Sequence, residues 1–331
     1  PSRRWFNRLG VLVNHDKKEN LYDFNNCIPY NYSMPWYLKG QKVVVIKENG
    51  FEHKACKGRA SINDNIYNEN HIIKVSNLSI GYTSKKHIST IASNLNINLS
   101  SGNMVCLLGK NGIGKSTLLR TLTKVQPALS GEIFIDDTKL EVLTNNELAK
   151  IVSLVLTERL PDSSLTVFEL VALGRQPFTN WIGYLTNEDM EIIQLAFEKT
   201  NTKHLMNSKC YELSDGQLQK VLIARALAQN TPIIVLDEPT AHLDLHHTVN
   251  TFSLLKNLAS EFNKTIIIST HETNLALQLA DELWLMSPSK FISGKTDDLI
   301  NKNELNQLFD SKLISFNKTL KQFTITNSKL F

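Results

Sequence analysis

The fold of this 331-residue chain is decided by one stretch, Gly109-Lys110-Asn111-Gly112-Ile113-Gly114-Lys115-Ser116-Thr117. It follows an apolar run, Met104–Leu108, and leads into a segment with helical character at residues 115–124. Glycines in this pattern let successive backbone N–H groups turn inward around phosphate oxygens, and the helix that follows presents its positive N-terminal end to them. The stretch therefore predicts a phosphate-binding loop between a buried strand and a helix.

Side chains of this loop can be assigned to different parts of a nucleoside triphosphate. Lys115 can reach the β- and γ-phosphates, Ser116 offers a hydroxyl to Mg²⁺, and Thr117 is placed to bond an α-phosphate oxygen. The rest of the loop surrounds the phosphates with its backbone, so the predicted binding residues also include Gly109, Lys110, Asn111, Gly112, Ile113 and Gly114.

A second apolar strand is predicted immediately before two carboxylates. The sequence there reads Pro232-Ile233-Ile234-Val235-Leu236-Asp237-Glu238-Pro239, and an open α/β sheet binds its ligands at the C-terminal ends of its strands. Asp237 is suited to hold Mg²⁺, and Glu238 is suited to polarise an attacking water. Such a pair alone is more often a solvated turn, but beside a phosphate loop it indicates a hydrolytic site.

The third motif is Leu213-Ser214-Asp215-Gly216-Gln217, which opens a predicted amphipathic helix at residues 218–228. Ser214 and Gln217 have the spacing of a capping box, so one interpretation is a well-capped helix and nothing more. The other interpretation is a second anion-binding helix end, with Ser214 and the Gly216 N–H directed at a phosphate. The motif alone leaves both open.

Strands that alternate with helices from residue 71 onward predict an α/β fold of the phosphate-loop NTPase type. We expect a mostly parallel sheet covered on both faces, an antiparallel β part before it, and a helical subdomain inserted at about residues 160–228. The predicted domain covers residues 71–290.

Two segments flank this predicted domain. The tail at residues 291–331 carries a predicted short helix at 302–309 and strands near 313–316 and 322–326. Residues 1–70 form an extension of unknown role, in which a predicted strand ends at the hairpin-type turn Asn49-Gly50.

Composition excludes several classes of protein. With 42% hydrophobic and 21% charged residues the chain is typical of globular proteins rather than disordered or fibrous ones. Its longest apolar run is far shorter than the roughly 20 residues of a membrane-spanning helix, and four cysteines without a close pair predict neither a disulfide framework nor a zinc site. The net charge of +4 arises entirely from residues 1–70, so we expect no nucleic-acid partner.

Taken together, the motifs resemble those of the nucleotide-binding subunits of ATP-binding-cassette (ABC) transporters, over roughly residues 71–290. Residues 109–117 resemble the Walker A loop of that family, residues 233–238 its Walker B strand, and residues 213–217 its signature motif. Three further matches are the D-loop at Ala241-His242-Leu243-Asp244, the switch histidine at His271 and the adenine-stacking aromatic at Tyr82.

The resemblance implies a mechanism that one chain cannot complete. In this family ATP and Mg²⁺ lie between two copies of the subunit, so Ser214, Gly216, Gln217 and Asp244 would serve an ATP bound across the interface. Lys115, Glu238 and His271 would be catalytic. Closing and opening of the dimer would drive an integral membrane permease, and the subunit would be peripheral, at the cytoplasmic face of the inner membrane.

This sequence departs from the family pattern at two places. Asp215 stands where the signature motif usually has its first glycine, which puts an anionic side chain near a triphosphate. The glutamine of the Q-loop is absent, and its expected place holds Thr157 followed by Glu158. Because both side chains offer oxygen atoms, we expect this loop to contribute Thr157 and Glu158 as Mg²⁺ ligands.

Three functions share the catalytic motifs. Residues 165–175, Leu-Thr-Val-Phe-Glu-Leu-Val-Ala-Leu-Gly-Arg, with Pro177 close behind, resemble the segment after the Q-loop in importers of ferric siderophores, haem and cobalamin. We therefore favour an iron-chelate importer, with a permease and indirectly a substrate-binding protein as partners. The alternatives are an exporter or lipoprotein-release ATPase and a soluble ABC protein of translation or DNA repair.

Overall fold

The computed structural model describes residues 12–13, 21–23, 42–48, 51–57, 71–84, 87–156, 164–241, 243–307 and 314–325. The chain divides into two units, residues 1–68 and residues 69–331. The first unit contains a four-stranded antiparallel sheet in the order β1-β4-β3-β2, formed by β1 (Leu12–Val13), β2 (Leu21–Asp23), β3 (Lys42–Glu48) and β4 (Phe51–Lys57). Glu48 pairs with Phe51, so β3 and β4 form the hairpin that the Asn49-Gly50 turn predicts.

The second unit alternates strands and helices. Its strands are β5 (His71–Ser84), β6 (His87–Ser100), β7 (Met104–Leu108), β8 (Ser130–Ile135), β9 (Thr138–Lys139), β10 (Val152–Val155), β11 (Ile233–Asp237), β12 (Thr265–Ser269), β13 (Glu282–Met286), β14 (Phe291–Lys295), β15 (Ile314–Asn317) and β16 (Gln322–Ile325). Its α-helices are α1 (Lys115–Leu122), α2 (Asn145–Ala149), α3 (Val167–Ala172), α4 (Asn187–Lys199), α5 (Asp215–Ala228), α6 (Leu245–Phe262), α7 (Thr273–Leu279) and α8 (Thr296–Asn301).

A six-stranded sheet in the order β10-β11-β12-β7-β13-β14 forms the centre of this unit. Its first five strands are parallel and only β14 runs antiparallel. Every residue of β7, β11, β12 and β13 is buried, which is why these strands read as continuous apolar runs instead of alternating ones. The predicted parallel sheet covered on both faces is confirmed.

A second sheet of this unit is antiparallel, in the order β6-β5-β8-β9. The long β5–β6 hairpin contributes Leu78, Ile80, Leu95 and Ile97 to an apolar core, which continues through α1 to one face of the central sheet. The predicted antiparallel β part is therefore present. Its position against α1 brings the end of β5 to the phosphate loop.

The predicted helical insertion lies between β10 and β11. It consists of α3, α4 and α5 with a 3₁₀ segment at Leu173–Phe178, and it packs on a core that includes Phe197 and Val221. Each of the three α-helices begins at a capping box, in which Thr166, Thr186 or Ser214 exchanges hydrogen bonds with the third residue of its helix.

The C-terminal segment differs from its prediction in one element. An α-helix at 302–309 is wrong over residues 302–307, the part that the structure describes: α8 ends at Asn301, and a 3₁₀ turn follows at Glu304–Gln307. Asn303 adopts φ 59°, and a residue in the left-handed region ends a helix instead of continuing it. The two predicted strands are present as the antiparallel β15–β16 hairpin. In the part of the chain that the structure describes, no helix combines the length and apolarity needed to cross a membrane.

Candidate nucleotide site

The predicted phosphate loop connects β7 to α1, as its sequence requires. Gly112 and Gly114 have φ values of 74° and 110°, in the left-handed region that side chains with a Cβ rarely adopt. Gly114 is also the N-cap residue of α1, and a Cβ at this position would collide with the side chain of Ile91. Glycine is therefore needed at these two positions for the loop to follow its path from β7 into α1.

Lys115 lies at the centre of the site, with only 4% of its surface exposed. Its Nζ donates hydrogen bonds to the carbonyl oxygens of Gly109 at 3.0 Å and Lys110 at 3.4 Å. The same nitrogen is 3.7 Å from Oε1 of Glu238 and 3.3 Å from Nε2 of His271. Burial lowers the pKa of Lys115, and the Glu238 and Asp237 carboxylates partly offset that effect.

The carboxylate of Asp237 is held by two hydroxyls at the end of β11. Ser116 donates to its Oδ1 at 3.0 Å, and Ser269, at the end of the neighbouring strand β12, donates to the same oxygen at 2.6 Å. Asp237 and Ser269 are directly paired in the parallel register of the two strands. Carboxylate and hydroxyl oxygens are hard donors of the kind that Mg²⁺ prefers, so Ser116 and Asp237 fit this ion chemically.

Glu238 is oriented by its own backbone. It adopts φ 48°, a left-handed conformation that costs a non-glycine residue about 1–2 kcal/mol, and its N–H donates to both the carbonyl and the hydroxyl oxygen of Ser269. Its Oε1 lies 2.7 Å from Nε2 of His271. The structure thus brings Lys115, Glu238 and His271 together in one cluster. Sequence reasoning missed the role of Ser269, although its position at the end of an apolar strand is the same as that of Asp237.

Tyr82 lies beside the phosphate loop at the end of β5. Its hydroxyl is 3.1 Å from Oγ1 of Thr117, and 53% of its surface is exposed. About half of Tyr82 is therefore exposed next to the loop, as an aromatic residue that stacks on a base has to be.

The signature-like motif forms the predicted capping box at the start of α5. The Ser214 N–H donates to Oε1 of Gln217 at 3.0 Å, and the Gln217 N–H donates back to Oγ of Ser214 at 3.3 Å. Asp215 is exposed in the first turn. Within the described ranges, no hydrogen bond or ion pair joins residues 213–217 to the phosphate loop of the same chain.

Asp244 begins α6 as its N-cap residue and accepts hydrogen bonds from the backbone and the ring of His247, both at 2.8 Å. These bonds lower the pKa of Asp244. The ring of His247 lies against Gly216, where a Cβ would approach it to 3.1 Å. The start of α6 and the start of α5 are therefore neighbours.

Thr157, Glu158 and His242 lie outside the described residues.

These features define a phosphate-loop nucleoside triphosphatase: a glycine-rich loop between a buried strand and a helix, a lysine at the end of that loop, and an Asp–Ser pair beside it. The family profile described as "ABC transporter" matches residues 92–241. An uncharacterised ABC transporter ATP-binding protein of Methanocaldococcus jannaschii is 35% identical over 260 residues, which cover 78% of this chain and 88% of that protein. The iron(3+)-hydroxamate import ATP-binding protein of Bacillus subtilis is 32% identical over 252 residues, covering 75% and 92%.

Solved structures agree with the sequence comparisons. A dimeric ATP-binding cassette in a post-hydrolysis state with ADP and phosphate superposes with a TM-score of 0.59 and 31% identity, covering 68% of this chain and 98% of that one. This chain belongs to the ATP-binding proteins of ABC transporters. It binds nucleotide and is an ATPase, as the sequence predicts.

Proposed function

We propose that this chain is the ATPase subunit of a membrane importer for a ferric siderophore or a related iron chelate. The observation that carries the proposal is the similarity to an iron(3+)-hydroxamate import ATP-binding protein along 92% of that protein's length. The segment at residues 165–175, whose sequence resembles that of iron-chelate importers, lies in α3 and the 3₁₀ segment that follows it. In this proposal the subunit is peripheral and binds at the cytoplasmic face of the inner membrane.

The geometry of the cluster supports hydrolysis by a carboxylate-polarised water. Glu238 accepts a proton from the water as the water attacks the γ-phosphate, the bond from the γ-phosphorus to the bridging oxygen breaks, and ADP leaves. His271, 2.7 Å from the Glu238 carboxylate, holds that carboxylate in position. Lys115 neutralises charge on the β- and γ-phosphates. When it is bound, Mg²⁺ supplies further neutralisation, and Ser116 and Asp237 are the residues that would hold it. Tyr82 would stack on the base, and the remaining phosphate contacts come from Gly109, Lys110, Asn111, Gly112, Ile113, Gly114 and Thr117.

A second copy of the chain would complete the site. Since residues 213–217 have no bond to their own phosphate loop, Ser214, Gly216 and Gln217 are available to the ATP of a partner copy, and Asp244 lies beside them through His247. The solved dimeric cassette with ADP and phosphate, described above as similar to this chain, supports this arrangement. The exposed carboxylate of Asp215 would then approach the partner's triphosphate and weaken its binding.

The two residues at the expected place of the Q-loop glutamine are assigned a role as well. Thr157 and Glu158 would supply oxygen ligands for Mg²⁺ and would couple the nucleotide to the permease. If Thr157→Ala and Glu158→Ala both leave Mg²⁺-dependent ATP turnover and transport unchanged, this part of the proposal is wrong.

The helical insertion offers a surface for the permease. The turn before α4 exposes three large side chains: Trp181 is 94% exposed, and Ile182 and Tyr184 are each 70% exposed. An aromatic surface of this kind is typical of protein interfaces. The buried ion pair between Arg175 and Asp189, whose Nε and Oδ1 are 2.8 Å apart, joins the residues before this turn to those after it.

The experiment uses the Glu238→Gln variant, which should bind ATP, hydrolyse it very slowly and remain in the closed dimer. The tagged variant is incubated with ATP and Mg²⁺ in detergent-solubilised membranes of its source, and the captured proteins are identified by mass spectrometry. Lys115→Ala, which should not bind ATP, is the matched control. A many-helix permease with a chelate-binding protein supports the importer. An export or lipoprotein-release permease, or ribosomal or repair proteins without a membrane protein, would contradict it.

A further inference from the structure

The start of α6 carries a group of potential metal ligands, of which only Asp244 has a part in the function proposed above. The group consists of Asp244, His246 and His247, and one carboxylate oxygen and one ring nitrogen from each histidine all lie within 4.8 Å of one another. In the part of the chain that the structure describes, no other three His, Cys, Asp or Glu residues come this close together. Two imidazoles and one carboxylate form a donor set that suits divalent transition metals, while Mg²⁺ prefers oxygen ligands alone.

The distances within the group are close to those of a metal site. Two ligand atoms that each bind one ion at about 2.1 Å lie roughly 3–3.5 Å apart. Oδ1 of Asp244 and Nδ1 of His247 are already 2.8 Å apart. His246, whose ring meets that of His247 edge to face at 5.6 Å between centroids, has to approach by at most about 1.3–1.8 Å. Rotation of one exposed side chain provides a movement of this size.

The local fold prepares the carboxylate for this role. As N-cap residue of α6, Asp244 is held by two hydrogen bonds from His247, and both of these bonds go to Oδ1. The backbone bond keeps Oδ1 beside the ring nitrogen Nδ1 of His247, so these two candidate ligand atoms are already adjacent. The negative charge of Asp244 also offsets the positive end of the helix, which would otherwise repel a cation.

His246 distinguishes a metal site from an ordinary helix cap. The capping interaction accounts for Asp244 and for the ring of His247, but it does not involve His246. The amide nitrogen of Asn250, one turn later, lies 3.3 Å from the ring nitrogens of His246, and such a neighbour can orient a ligating imidazole. Gly216, which has no side chain, lies against the ring of His247.

We propose that Asp244, His246 and His247 bind one divalent transition-metal ion of the Zn²⁺, Co²⁺ or Ni²⁺ type, with water completing the coordination. The site lies where the start of α6 contacts the start of α5, through His247 and Gly216. Bound metal replaces the side-chain hydrogen bond between Asp244 and His247 with two bonds to one ion, while the proton on Nδ1 of His247 passes to solvent and Nε2 takes one up. Binding of the metal does not require nucleotide. The proposal therefore goes beyond the transport function and can be tested separately from it.

The test measures Zn²⁺ affinity of the full chain without a histidine tag, by competition with a chromophoric chelator in an excess of Mg²⁺. We expect one Zn²⁺ per chain at this site. Loss of one of three protein ligands should weaken binding at least about tenfold in His246→Ala. The control His204→Ala removes an exposed histidine elsewhere and should change the affinity by less than about twofold. Lys115→Ala should bind Zn²⁺ as the wild type does, which separates this site from the nucleotide site.

A second measurement does not depend on a variant that folds. In the wild-type protein, Co²⁺ should perturb the imidazole NMR signals of two histidines, and Zn²⁺ should displace it. Equal Zn²⁺ affinity in wild type and His246→Ala, or an absence of perturbed histidine signals with Co²⁺, would overturn the proposal.

Discussion

The buried ion pair between Arg175 and Asp189 should stabilise the helical insertion, and Asp189→Asn tests this. Both residues are buried. Arg175 donates through Nε to Oδ1 of Asp189 at 2.8 Å and through Nη1 to the carbonyl of Ala228 at 3.0 Å, and its guanidinium lies 4.1 Å from the ring centre of Phe178. The pair thus joins the 3₁₀ segment, α4 and the end of α5.

The magnitude follows from the charge that the substitution leaves behind. Removing one partner of a buried ion pair costs about 3–5 kcal/mol, because the other charge stays buried without compensation. We expect a value near the lower limit, about 3 kcal/mol, since the bond to Ala228 and the contact with Phe178 remain. A loss of about 3 kcal/mol in local stability corresponds to roughly a hundredfold faster hydrogen exchange.

Hydrogen exchange measured by mass spectrometry gives the local readout. Amides of α4 should exchange about a hundredfold faster in Asp189→Asn than in the wild type. The matched control is Glu169→Gln. In α3, Glu169 forms the same capping box with Thr166, but it is exposed and has no arginine partner. Unchanged exchange of α4 in Asp189→Asn, or an equal change around α3 in the control, would refute the reasoning.

The contribution of Asp189 also depends on pH. Burial raises the pKa of Asp189, but the hydrogen bonds from Thr186 and Arg175 outweigh it and hold the pKa below its usual value. A carboxylate with a depressed pKa in the folded state stabilises the fold above its unfolded pKa, about 3.9, and this stabilisation is lost as the pH falls through the folded value. The difference between wild type and Asp189→Asn should therefore be full at pH 7 and should shrink below about pH 4.

Three predictions concern the nucleotide site. Tyr82→Ala should weaken ATP binding about tenfold, because stacking on a base is worth about 1–3 kcal/mol. Tyr82→Phe keeps the ring and should stay within about threefold of the wild-type affinity. Equal losses of affinity in the two variants, measured by fluorescent-nucleotide titration, would exclude stacking. Lys115→Ala should abolish ATP turnover without changing the circular dichroism spectrum, and undiminished hydrolysis would refute the phosphate-loop assignment. Asp215→Gly, in a Glu238→Gln background, should lower the ATP concentration for half-maximal dimerisation about fivefold, because it removes like-charge repulsion of about 1 kcal/mol. A higher ATP concentration for half-maximal dimerisation would show that Asp215 assists dimer formation.

Features specified by neighbouring residues could be predicted from the sequence. The phosphate loop depends on glycine spacing next to an apolar run, and the central strands depend on runs that are apolar on both faces, so β7, β11 and β12 were predictable. The helix at 302–309 was placed wrongly because the competing stop, a left-handed Asn303, has only a weak sequence signal.

Features that depend on pairing across the fold could not be predicted. Ser269 reaches Asp237 only because β11 and β12 are in register, and Arg175 reaches Asp189 only because α4 folds back over the 3₁₀ segment. The sequence contains these residues but no local pattern that joins them. The family resemblance named most of the predicted site residues, while the contacts that hold those residues in place came from the fold.

The central claim is that Glu238 is the general base in the hydrolysis of an ATP bound between two copies of this chain. Light scattering of Glu238→Gln, with and without ATP and Mg²⁺, tests it most directly. The account predicts that the mass in solution doubles when ATP and Mg²⁺ are added to Glu238→Gln, that this dimer persists, and that Lys115→Ala remains monomeric under the same conditions. A Glu238→Gln variant that stays monomeric with ATP, or that hydrolyses ATP at the wild-type rate, would contradict the account.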